Sequence, residues 1–309
     1  MMKKIIFLLL VVLFTTDNYA QIDTLQTKKT RLKTMGTVFK NSYLSISGDV
    51  NQMGHSISDD WKKTGYYTAG IVGLILTDKI TTNFWHKTIE PNITYSLPNI
   101  SPVKSGKTLY TWVRGNDAYM TFPFMGLYIG AVIANKERGQ YAALNAFKAI
   151  AYSELISQLA LKTIFGRNRP NRPLDANNPP DPWTTNNWDF FNTRQTYLGS
   201  SAEASAFPSL HATAFFALAK VAQMEYDNYW IPYGFMSLVF LADIKGHNHW
   251  VSDIVVGGIV GTIIGRSVVK SSWKIRGKEE FLKKKKNISF RFVPQVTPNW
   301  TGLHIVGSF

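Results

Sequence analysis

Six stretches of the chain are apolar over a helical length: Tyr66–Ile80, Ala118–Asn135, Ala142–Phe165, Phe207–Met224, Tyr229–Ala242 and Ile254–Val269. Each is longer than an ordinary strand, and each mixes Ala, Leu and Gly with β-branched residues, so the pattern predicts six helices and an all-α fold. Breakers mark the joints: Pro91, Pro98 and Pro102 after the first stretch, and Gly139 after the second. Between the third and fourth, Asn168 to Ala206 is polar and carries Pro170, Pro173, Pro179, Pro180 and Pro182. A loop that long inside a bundle is usually functional. Residues 21–65 are polar and weakly patterned and are expected as an exposed lead-in to a helical domain over 66–270. The remaining 271–309 hold the basic run Lys283–Lys286 and an alternating segment, Ser289-Phe290-Arg291-Phe292-Val293, that predicts a short β segment at the C-terminus.

The N-terminus bears on the compartment. Met1-Met2-Lys3-Lys4 is followed by ten apolar residues, Ile5 to Phe14, and then by Thr15 to Ala20. This order is that of a secretory signal over residues 1–20, cut after Ala20. Ten residues of helix reach about 15 Å, half a hydrocarbon core, which is short for an anchor. Whether the later helices cross a bilayer stays open. Ala118–Asn135 is free of charge for 18 residues, whereas four of the others are interrupted by Asp78, by Lys148 and Glu154, by Lys220 or by Arg266. Either way, the positive-inside tendency and an exported start place the 168–206 loop outside the cytoplasm. The expected location is extracytoplasmic, periplasmic and membrane-associated or membrane-embedded.

Composition narrows the partners. Hydrophobic residues are 45% and charged residues 17%, a balance that excludes an intrinsically disordered chain. Without cysteine there are no disulfides, thiolate nucleophiles, iron–sulfur clusters or Cys-ligated zinc. A net charge of +14 favours an anionic partner. Export disfavours nucleic acid, which leaves a phosphorylated ligand or a membrane surface.

Three segments place charged residues at helix ends. In Lys162-Thr-Ile-Phe-Gly-Arg-Asn-Arg169-Pro170, the cations Lys162 and Arg169 are seven residues apart, a spacing that puts both on one helical face. In Phe207-Pro208-Ser209-Leu210-His211, Pro208 suits a first helical turn, Ser209 adds a hydroxyl donor and His211 lies one turn in. In His247-Asn248-His249-Trp250-Val251-Ser252-Asp253, the His249 ring and the Asp253 carboxylate are four apart, so the carboxylate fixes the tautomer. Each alone has an ordinary explanation: a solvated basic helix end, an N-capped helix with an incidental histidine, a structural pair at a helix start. His247 and His249 lack a third ligand at metal-binding spacing.

Together, in order and spacing, the three segments resemble the type 2 phosphatidic acid phosphatase (PAP2) superfamily. This superfamily also holds bacterial class A acid phosphatases, lipid phosphatases and vanadium haloperoxidases. Its pattern is Lys-x6-Arg-Pro, then Pro-Ser-Gly-His, then Ser-Arg-x5-His-x3-Asp. Lys162 to Pro170 matches the first in full, Pro208 to His211 the second with Leu210 for Gly, and His249 and Asp253 the end of the third.

The resemblance implies a PAP2-like six-helix bundle and a metal-independent phosphatase without a cofactor. It would be an acid or lipid phosphatase acting on a phosphomonoester or diphosphate, its substrate a phosphorylated lipid such as phosphatidate, a prenyl diphosphate or lipid A, or a small phosphate ester. By the same resemblance, His249 attacks phosphorus to form a phosphohistidine, Asp253 orients it, and His211 protonates the leaving oxygen. Lys162, Arg169, Ser209 and the Leu210 backbone N–H hold the phosphate. The family's Ser-Arg falls on Ala242-Asp243, so a carboxylate stands where a cation is expected, with Lys245 as the nearest substitute. Two alternatives therefore accompany the phosphatase: a vanadium haloperoxidase, and a non-catalytic lipid-binding protein of the same fold. On the sequence alone Asp243→Arg is expected to raise phosphate affinity or turnover, with phosphate release from a lipid phosphate as the measurement.

Overall fold

A computed structural model describes residues 31–100, 111–113, 115–192, 203–245, 248–278, 289–297 and 300–308. The expected signal, residues 1–20, lies outside them, as does His247. The helices are α1 Arg31–Leu44, α2 Ile46–Ser58, α3 Trp61–Phe84, α4 Ala118–Ile133, α5 Glu137–Ser153, α6 Lys162–Phe165, α7 Leu210–Tyr226, α8 Trp230–Ile244 and α9 Val251–Ile275. A wide π-type turn, Glu154–Leu161, joins α5 to α6. The all-α expectation holds, and each of the six apolar stretches forms helix.

The second half of the polar lead-in forms α1 and α2, which are exposed over most of their surface and bury one face. Their buried face is Thr34, Val38, Ser42, Ser45 and Asp49, a run at helical spacing made mostly of small polar residues. Hydrophobic periodicity misses such a face because the period is carried by size and hydrogen bonding. Lys148 Nζ on α5 donates to Asp49 Oδ2 at 2.8 Å and to Ser45 Oγ at 2.6 Å, which gives the buried carboxylate a cation partner.

Two inner helices carry the core. Helix α5 packs against α1, α4 and α7, and α7 also packs against α8. Their shared faces are rich in alanine: Ala142, Ala143, Ala146 and Ala149 on α5, and Ala212, Ala214, Ala217 and Ala219 on α7, all essentially inaccessible. Small side chains let the axes approach closely. Helix α9 approaches α7 more closely still, through Gly257, Gly261 and Gly265. A Cβ at Gly261 would overlap the Thr213 carbonyl, and one at Gly265 the Ala217 carbonyl. This contact brings the start of α9 beside the start of α7, where the second and third motifs lie.

Residues 273–309 form a separate compact unit. It contains an antiparallel hairpin, β1 Ser289–Thr297 with β2 Trp300–Ser308, in register from Ser289 opposite Ser308 to Thr297 opposite Trp300. This is the short β segment that the alternation predicts.

The α7–α9 contact predicts that Gly261→Ala destabilises the protein by about 1–3 kcal/mol, because the new methyl group displaces one backbone from the other. Gly36→Ala on α1, where a Cβ meets nothing within 4 Å, is the control and should leave the denaturation midpoint unchanged or slightly higher.

Candidate active site

Helix α6 stops at Gly166, which has a left-handed φ of 44°. A Cβ there would overlap the Asn192 carbonyl, so glycine is required for the turn. The turn sends Arg167 inward, fully buried. Its Nη1 donates to Asp253 Oδ1 at 2.6 Å and Ser252 Oγ at 2.8 Å. Its Nη2 donates to Asp78 Oδ2 at 2.7 Å and to the Asn187 carbonyl at 2.5 Å. The rings of Phe190 and Trp250 lie 4.6 and 4.9 Å from the guanidinium carbon. Asp78 also accepts from the backbone N–H and hydroxyl of Ser252, and so caps the first turn of α9 from α3. Burial pushes the Asp78 and Asp253 carboxyls up, against the pull of Arg167.

Lys162 is buried and its Nζ donates to Gln158 Oε1 at 2.8 Å. Arg169 does not share a helical face with it, because the left-handed Gly166 breaks the phase. The segment beyond Gly166 carries Arg169 back, and its Nε donates to Ser205 Oγ at 3.1 Å. Ser209 is the N-cap of α7, its Oγ accepting from Ala212 N at 3.4 Å. Pro208 thus precedes the cap and does not occupy the first turn. The Ser209 N–H donates to the Asp253 carbonyl at 3.0 Å, which ties the two motifs together. Leu210, the first residue of α7, is buried.

His249 is buried, with Nδ1 3.5 Å from Asp253 Oδ2, a long approach for a hydrogen bond. The reason is competition. Oδ1 of Asp253 serves Arg167, and Oδ2 already accepts from Trp250 N at 2.9 Å. The first partner of Asp253 is therefore Arg167, not His249. Burial holds the His249 pKa well below the ordinary value, and the charges of Arg169, Lys162 and His211 push it the same way; a hydrogen bond with the Ala206 backbone opposes them. Three motif cations thus converge on one neutral imidazole.

Lys245 is exposed and donates to the Ile93 carbonyl at 2.9 Å, so it does not replace the family's arginine. Arg172 pairs with Glu90 at 2.9 Å. Asp243 turns instead to His211. Nε2 of His211 lies 3.2 Å from Asp117 Oδ1, at the start of α4, and 4.0 Å from Asp243 Oδ2, at the end of α8. One ligating atom from each of the three falls within 4.8 Å of the others, a grouping invisible in sequence spacing because three elements supply it. Glu154 adds a third carboxyl, raised by burial while Lys162 and His211 pull it down and Asp117 adds to the rise; Trp112 donates to it. The Trp112 ring also lies 6.3 Å from the His211 ring. An arginine at position 243 would stand against His211 and Asp117, so it would repel protonated His211 and compete for Asp117.

Sequence reasoning missed Arg167, Asp78, Asp117 and Glu154. Arg167 lay unremarked inside the first motif, and Asp78 was visible as a charge interrupting an apolar stretch. Glu154 was visible in the same way within Ala142–Phe165, and Asp117 had no local signal. Of the aromatics in the long loop, Phe190 packs on Arg167 and Phe207, whereas Trp188 and Phe191 are exposed.

Residues 142–276 match the family model of the PAP2 superfamily. This stretch runs from α5 through α9 and contains all three motifs. The match supports membership of the PAP2 superfamily, a superfamily of phosphatase type. No curated protein and no solved structure matches the chain.

Removing the central cation strands two buried carboxylates. Arg167→Leu is expected to cost about 3–5 kcal/mol, read as a lower unfolding midpoint. Arg167→Lys keeps the charge but not the fork, and should fall between that variant and the wild type.

Proposed function

We propose that the protein is a metal-independent phosphatase that hydrolyses a phosphomonoester or diphosphate, with a phosphorylated lipid as its substrate class, through a phosphohistidine on His249. The observation that carries this reading is the buried, neutral imidazole of His249 beside Lys162, Arg169 and His211. A neutral imidazole has a lone pair for phosphorus, and the cations offset the charge on the equatorial phosphoryl oxygens. In the first half-reaction a His249 nitrogen bonds to phosphorus as the leaving oxygen departs and takes a proton from His211. In the second, water attacks the phosphoryl group, His211 takes back a proton, and inorganic phosphate leaves with His249 restored.

A lipid substrate and membrane association draw on two features. Helix α9, 25 residues with a mean hydropathy of 1.5 in its most apolar window, is the one helix among the described residues long and apolar enough to cross a membrane. Large apolar side chains are also left on the surface in groups: Trp61, Tyr66, Leu76, Ile80 and Phe84 on α3, and Trp230, 89% exposed, at the start of α8.

The purified protein should release inorganic phosphate from phosphatidate, a prenyl diphosphate or lipid A in detergent, without added metal. Failure on all three and on soluble phosphate esters would overturn the reading. His249→Ala should lower turnover by about a thousandfold or more, whereas His247→Ala should keep most of it. Substrate phosphate trapped at low temperature should be acid-labile and sit on His249. The pH dependence follows from the two histidines. The working state needs His249 neutral and His211 protonated, and their pKa values lie respectively well below and above the ordinary value near 6.5. Activity should therefore hold on both sides of pH 6.5, failing on the acid side as His249 protonates and on the basic side as His211 loses its proton.

A further inference from the structure

We propose that Asp117 and Asp243 act as a pair of positioning residues that clamp His211 and keep it an imidazolium, so that the carboxylate at position 243 serves the proton donor and not the phosphate. The chemical use of the clamp rests on the phosphatase reading; its existence does not.

The geometry supports the clamp from two sides. Asp117 stands at the start of α4, where its Oδ1 is 3.2 Å from His211 Nε2. Asp243 comes from the last turn of α8, with Oδ2 at 4.0 Å from the same nitrogen. Both carboxylates are largely buried, with side-chain exposures of 12% and 9%, so little solvent screens them. The groups facing His211 are Asp117 just ahead of α4, Asp243 on α8 and Lys162 on α6, with Glu154 in the wide turn and His249 ahead of α9. Burial alone would lower the His211 pKa, and Lys162 adds to that. The two aspartates outweigh both, and the net direction is upward. An arginine at 243 would add a cation to a histidine that must carry a proton. With aspartate there, the charge lost from the phosphate side becomes a charge that retains the proton on the leaving-group side.

The clamp also gives the site a sign for stability. A histidine whose folded pKa is raised contributes stability that is complete below its unfolded value near 6.5 and is lost as pH rises through the folded value.

The test is a histidine NMR titration of the full chain with labelled imidazole rings, the His211 signal being the one lost in His211→Gln. In the wild type His211 should titrate above 6.5. In Asp117→Asn and in Asp243→Asn it should fall by about one pH unit in each. The basic limb of the pH–rate profile should move down by the same amount, a shift that a purely structural role would not produce. A wild-type His211 titrating at or below 6.5 overturns the clamp without need of any variant, as does an unmoved signal in both variants. A stoichiometric divalent cation that co-purifies with the wild type and is absent from Asp243→Asn also overturns it, in favour of a metal site. A high His211 pKa in a protein that releases no phosphate upholds the clamp and overturns the phosphatase reading.

Discussion

Burying the Arg167 guanidinium between the Asp78 and Asp253 carboxylates removes three charges from water, a cost of several kcal/mol per ion unless partners replace the solvent. Here four hydrogen bonds and two aromatic faces surround the cation. The partners come from three parts of the chain: Asp78 from α3, Asn187 and Phe190 from the long loop, and Trp250, Ser252 and Asp253 from the start of α9. The interaction therefore assembles the site as well as satisfying its own charges. It caps α9, orients Asp253, and holds the segment that carries Arg169 and Ser205.

That arrangement alters the part Asp253 plays. A carboxylate whose main partner is a buried guanidinium is a rigid wall behind His249, and the 3.5 Å approach of Nδ1 is what remains for the imidazole. The neutrality of His249 comes from elsewhere, from burial and from three cations. Asp117 and Asp243 lie against His211, and Glu154 interacts with it. The site is divided by charge: cations gather around His249, the proposed nucleophile, and carboxyls around His211, the proposed proton donor. Two histidines with opposite shifts are the consequence, and such a pair is the usual signature of an acid and a base placed in one site.

The apolar stretches made six helices legible because each buries side chains by size and greasiness. Helices α1 and α2 were not legible, since their buried face is Thr34, Ser42, Ser45 and Asp49, and its stabilisation depends on Lys148, about a hundred residues away. The alternation from Ser289 was legible as a strand because register follows directly from a two-residue period. The three motifs were legible through the order of their residues, which the match over residues 142–276 supports.

By itself the sequence determined the helical class, the superfamily and the set of chemical groups, because those depend on local period and on residue identity at fixed spacing. Only the tertiary structure decided which of those groups face one another. Gly166 turned Arg167 inward and sent Arg169 back through the loop, against the helical phase that spacing alone implies. The contact of α7 with α9 through Gly261 brought two motifs together. Position 243 changed meaning for the same reason. In sequence it is a carboxylate where a phosphate-binding cation is expected, but in space it lies against His211 and Asp117. Electrostatic interactions depend on distance and burial, and neither is a property of residue order.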